Sequence, residues 1–104
     1  QLGISGVTLD ASNAEGFGLT TTQGVYITGV GTGSPAEQAG LRGTARNASG
    51  GDVITAIDGR IIRSIGELAG IIDSHAVGDT VTLTVQRGRD QLQLRAVLRE
   101  WQAS

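Results

Sequence analysis

The side chains in this sequence that could do chemistry stand apart from the partners that chemistry needs. His75 is the only histidine. A general base or a metal ligand uses such a residue, but a histidine at the end of a helical segment also serves structure alone. Ser49 lies in the glycine-rich stretch Ala48-Ser49-Gly50-Gly51. A serine nucleophile needs a base and an orienting acid; no histidine precedes Ser49, and there is no G-x-S-x-G elbow. Asp52, Asp58, Asp73 and Asp79 fall between elements without the spacing of a calcium loop. The absence of cysteine removes disulfides and thiolate metal sites. The sequence thus supplies no catalytic residues, no metal site and no cofactor site.

Two motifs match a pattern without its context. Gly31-Thr32-Gly33-Ser34-Pro35-Ala36 fits G-x-G-x-x-A after a strand and before a helix, and Asp52 follows at the distance a dinucleotide site would use. The helix it opens is too short for a crossover, and Asp52 precedes the next strand instead of ending it. The motif reads as a glycine-rich turn feeding a capped helix. Asn47-Ala48-Ser49 satisfies the glycosylation sequon, which marks an exposed loop and no more.

The elements that must carry any function are short and turn-rich. The chain has 104 residues, the size of one compact domain, with 38% hydrophobic residues, 3% aromatic residues and 17 glycines. The glycines sit at element boundaries, as in a fold with many tight turns. Eight basic and ten acidic residues give a net charge of −2 without a basic patch, which argues against nucleic acid as a partner. No apolar run is long enough to span a bilayer. The N-terminal residues do not read as a signal peptide, and Gln1 resembles an excised start, so a domain cut from a longer protein is expected.

Ile4–Leu9 and Gly24–Val30 read as strands, with a polar loop between them that has room for one helical turn at Ala11–Glu15. Ser34, Pro35 and Glu37 form a helix start with a capping box, and Gly40 ends that helix after about two turns. Val53–Ile57 is a buried-type strand, Asp58-Gly59 a turn, and Ile61-Ile62 a short extended piece. Ser64 and Glu67 make a second capping box. Behind it Ile65, Leu68, Ile71 and Ile72 fit one helical face. Val81, Leu83 and Val85 alternate with polar residues, as do Leu92, Leu94, Ala96 and Leu98, with Arg87–Asp90 as the hairpin between. The expected fold is α+β and mostly β: a partly open antiparallel barrel or sandwich capped by two helices.

Three segments together resemble a PDZ domain of the HtrA/Deg serine proteases. Gln1-Leu2-Gly3-Ile4 resembles that family's carboxylate-binding loop. Gly24-Val25-Tyr26-Ile27, running into Gly33-Ser34-Pro35-Ala36-Glu37-Gln38-Ala39-Gly40-Leu41, is similar to its strand and G-S-P-A-x-x-A-G-L pattern. Gly51-Asp52-Val53-Ile54 with Ile57-Asp58-Gly59 matches its G-D-V-I strand and turn. The resemblance covers essentially all of residues 1–104 as one domain. In the shortest family members Gly-Leu is followed almost at once by Gly-Asp; here Arg42–Gly50 intervenes.

The resemblance implies a peptide-binding module and not an enzyme. The amides of Leu2, Gly3 and Ile4 would hold a ligand's terminal carboxylate, and Ile4, Ser5 and Gly6 would pair with the ligand as an added strand. Leu2, Ile4, Leu68, Ile71 and Ile72 would line the pocket for its last side chain, although one face of that helix must also meet the core. The alternative for Gly3 is an ordinary turn glycine, but the flanking apolar pair favours the binding role. The expected partners are peptides or unfolded segments with apolar C-termini, and a linked protease domain. The parent would be a serine endopeptidase of protein quality control outside the cytoplasm, in the periplasm or cell envelope, with membrane anchoring as an option. An autonomous scaffold, or the PDZ module of a site-2 protease or C-terminal processing peptidase, are the other readings.

Overall fold

The computed structural model describes residues 1–44 and 50–100. Most of the Arg42–Gly50 insertion, with the Asn47-Ala48-Ser49 triplet, lies outside them. The elements in chain order are β1 (Ile4–Thr8), α1 (Ala11–Gly16), β2 (Val25–Val30), α2 (Pro35–Ala39), β3 (Val53–Ile57), β4 (Arg60–Ile61), α3 (Ile65–Asp73), β5 (Thr80–Arg87) and β6 (Asp90–Val97). All strand pairs are antiparallel, in an open sheet of order β1-β2-β3-β5-β6, with β4 paired to β3 outside that path. The expected mostly-β, partly open architecture is what forms. Among the described residues it carries three helices, because the turn expected after β1 is a full α1.

Alternation builds the core. Val81, Leu83, Val85 and Ala96 are buried under the longest hairpin, β5–β6, and meet Val25, Ile27, Ile54, Ile57 and Ile62. A second, smaller cluster of Leu9, Ala14, Tyr26 and Val53 lies beneath α1. There the rings of Phe17 and Tyr26 pack with centroids 4.6 Å apart, a favourable tilted arrangement. Asp58-Gly59 makes the two-residue β3–β4 turn with both residues at positive φ, as a turn of this length prefers.

The helix starts differ from their expected form in one detail. Ser34 and Ser64 each accept a bond from the backbone N–H three residues on, at Glu37 and Glu67. The glutamates do not reach back to the cap residue. They bond one residue earlier, at the N–H groups of Gly33 and Arg63. The reciprocal capping box belongs instead to α1, where Asp10 and Asn13 exchange side chain–backbone bonds of 2.8 Å each.

Among the described residues one charged group is fully buried. Asp52 is 0% exposed and receives both Nε and Nη2 of Arg87 at 2.8 and 2.7 Å. Its second oxygen also accepts from the Arg42 N–H, and Arg87 reaches the carbonyl of Gly40. The Asp52 hydrogen bond raises the Arg87 pKa, with desolvation opposing it, so the guanidinium stays charged. This fork fastens β5 to the chain on both sides of the insertion.

Candidate functional site

The sheet order leaves β1 with one unpaired edge, and α3 lies along that edge. The α3 N-terminus is stapled to the strand's far end, where the Ile65 N–H donates to Thr8 Oγ1 at 2.9 Å. The helix therefore returns along β1 towards Gln1. Between them is a groove of about 310 Å³ lined by Gln1, Leu2, Gly3, Ile4, Ile65, Leu68, Ala69, Ile72 and Asp73.

The start of β1 owes its shape to two hydrogen bonds. The first turn of α2 has free backbone N–H groups, and that of Ala36 takes the carbonyl of Leu2 at 3.0 Å. The Gly31 N–H takes the carbonyl of Gly3 at 2.9 Å. Two successive carbonyls thus point the same way, which ordinary extended backbone does not allow. Gly3 permits it with φ +81°, a conformation that strains residues with a Cβ. In a trans peptide the N–H points opposite to the carbonyl before it. The amides of Gly3 and Ile4 consequently point together, away from α2 and towards the open edge. Neither Leu2 nor Gly3 donates a backbone hydrogen bond among the described residues. Such converging amides form an anion-binding nest.

The strand register extends this edge. Ile4 is opposite Val30, and the bond from Gly31 to Gly3 flanks that pair, so it is the non-hydrogen-bonded kind. The N–H and C=O of Ile4 thus face outward, available to another strand. Ser5 is exposed and paired opposite Gly29, and the register then slips so that Gly6 stands opposite Ile27. The bulged residue is Thr28 on β2, whose carbonyl is taken by the Thr44 hydroxyl at 3.2 Å. A Cβ at Gly6 would meet Val25 Cγ1 at 2.8 Å and the Tyr26 carbonyl oxygen at 3.1 Å, with Ile65 Cδ1 at 3.6 Å. A side chain at position 6 would therefore collide with β2, while Ile65 stands at ordinary contact distance across the edge.

The structure brings Leu2, Gly3, Ile4, Leu68 and Ile72 to one groove. Leu2, Leu68 and Ile72 are 5%, 2% and 7% exposed and join the main core as well, so groove wall and core face are the same surface. Ile71 does not join them. One residue turns the helix by about 100°, and Ile71, partly buried against the core, lines a different depression with Gly59, Arg60, Ile61, Arg63 and Glu67. Its place in the groove is taken by Ile65 and Ala69. The spacing 65, 68, 69, 72 was the available signal, since it is i, i+3, i+4, i+7.

His75 stands outside the groove. Its Nδ1 contacts the Ile71 carbonyl at 2.8 Å, and its Nε2 is 3.6 Å from Asp58. No group of three or more potential metal ligands occurs among the described residues.

Comparison with known proteins places this geometry in context. Residues 1–98 match the PDZ domain family. Protease Do-like 8 of the Arabidopsis thaliana chloroplast is 38% identical over 86 residues, which cover 79% of this chain and 19% of that protein. The periplasmic pH-dependent serine endoprotease DegQ of Escherichia coli is 30% identical over 97 residues, 93% of this chain and 20% of that protein. The chain thus spans about a fifth of the length of these relatives. Among solved structures, the HtrA3 PDZ domain bound to the phage-derived ligand FGRWV superposes with TM-score 0.77 at 25% identity, covering 96% of this chain and 84% of that one. The HtrA-type protease AlgW with a decapeptide superposes with TM-score 0.80 at 27% identity, over 100% of this chain and 30% of that one.

Proposed function

The chain belongs to the PDZ domain family, and from that premise we propose that it captures polypeptide C-termini by strand addition for a linked HtrA-type serine protease. The observation that carries this reading is the unpaired start of β1, where the amides of Gly3 and Ile4 converge beside an apolar groove. A terminal carboxylate fits the amides, and an extended backbone fits the outward N–H and C=O of Ile4 and the edge through Ser5 and Gly6. The last side chain enters between Leu2, Ile4, Leu68 and Ile72, with Ile65 and Ala69 completing the wall. An aliphatic pocket of this kind favours an apolar terminal residue. Affinity is weak to moderate, because few groups are buried.

The relatives of this chain are proteases several times its length, periplasmic serine endoproteases among them. They support a parent that is a serine endopeptidase acting outside the cytoplasm; its work in quality control and a catalytic domain preceding Gln1 are what the family resemblance implies. A G-N-S-G-G motif upstream in the full reading frame is the expected finding; membrane spans there would point to a site-2 protease instead. The groove itself is tested by titrating the chain with a short peptide ending in a free apolar residue, then with its C-terminal amide. The acid binds and the amide binds at least about tenfold more weakly, a difference of about 1.4 kcal/mol. Equal affinities, or no binding of either, overturn the carboxylate site.

A further inference from the structure

Asp73 is the one charged side chain among the residues lining the groove. It is exposed and in no ion pair among the described residues. It is also the last residue of α3, whose final turn holds no basic residue. Its carboxylate therefore adds to the negative end of the helix dipole and does not offset it. Because α3 starts at Thr8 and returns along β1, this negative end lies at the Gln1–Ile4 mouth, where the amides of Gly3 and Ile4 converge.

A ligand carboxylate held there shares the groove with Asp73, and like charges repel. A positive charge near the ligand's end cancels that repulsion and adds attraction. The alternation of side chains along a strand says where it sits. The last side chain points into the apolar floor, and the one before it points up to the rim, where Asp73 is exposed. We infer that Asp73 is a specificity-determining residue, selecting C-terminal segments with Lys or Arg beside an apolar last residue and disfavouring Asp or Glu there. This inference rests on the reading of the groove as a carboxylate site.

Two labelled hexapeptides test it, identical and free at the C-terminus except for Lys or Glu at the penultimate position. The chain is N-acetylated, so that no ammonium at Gln1 competes with Asp73 at the mouth. The expected preference for Lys is about two- to fivefold at low ionic strength, the size of an exposed charge interaction, and it shrinks in 0.5 M salt. Asp73→Asn brings the ratio to about one, and Asp73→Lys inverts it. Binding of both peptides with a ratio that Asp73→Asn leaves unchanged overturns the inference while sparing the groove. Binding of neither overturns the groove and the inference together.

Discussion

Two polar arrangements in this fold are built to opposite rules. Around Asp52 every strong donor and acceptor is matched: a forked guanidinium, a backbone N–H and a carbonyl close on each other in the interior. At Leu2-Gly3-Ile4 the carbonyls of Leu2 and Gly3 are matched, and the amides of Gly3 and Ile4 are left facing an open edge. The first arrangement holds the chain together at the two flanks of its insertion. The second is held in a shape that serves the fold only in part, and it leaves unspent hydrogen bonds beside apolar surface. The matched groups at Asp52 mark structure, and on the proposed reading the unmatched amides of Gly3 and Ile4 are the place for a ligand carboxylate.

Substitutions sharpen that contrast. The largest effect is expected at the matched cluster. Arg87→Met strands a fully buried carboxylate and lowers stability by about 3–5 kcal/mol in urea denaturation; a loss below about 1 kcal/mol would mean that Asp52 finds other partners. The variant that remains folded keeps its peptide affinity, because Arg87 does not line the groove. Gly3→Ala acts the other way round. It costs about 1–2 kcal/mol of stability through the left-handed backbone, and it weakens a free-carboxylate peptide by about tenfold or more by turning the amides apart. Full affinity in this variant would separate binding from the loop.

Two smaller changes divide the helix wall. Thr8→Val removes the acceptor for the Ile65 N–H, costs about 1 kcal/mol, and lowers peptide affinity a few-fold as α3 loosens from β1, measurable by fluorescence titration. Ile71→Ala removes a side chain on the far side of the helix. It costs stability by about 1–2 kcal/mol, short of the full-burial range, yet leaves peptide affinity within about twofold. A large loss of affinity at Ile71 would erase the distinction between the two faces of α3.

The same contrast explains what sequence reading could reach. Strand alternation in 80–87 and 90–97, the turn at Asp58-Gly59 and the serines at two helix starts are local signals, and the fold followed from them. The Leu2-Gly3-Ile4 loop was singled out through its resemblance to a family motif, a glycine between two apolar residues, and its role as a carboxylate site is the reading proposed above. The pairing of Asp52 with Arg87 spans 35 residues of sequence and depends on how β5 meets β3, which no local pattern carries. The openness of the β1 edge is likewise a property of sheet order. Ile71 was assigned to the groove because it is apolar and three residues from Leu68; one step of helical rotation sends it elsewhere. The α1 helix was legible only as a single helical turn at Ala11–Glu15, although its Asp10–Asn13 box is reciprocal.

The most direct test of the account follows backbone amides while a free-carboxylate peptide is added to the isotopically labelled chain. The N–H resonances of Gly3 and Ile4 move downfield on saturation, as new hydrogen bonds require, and those of Arg42 and Asp52 stay in place. Shifts centred on Arg60, Arg63 and Glu67, with Gly3 and Ile4 unmoved, would contradict it.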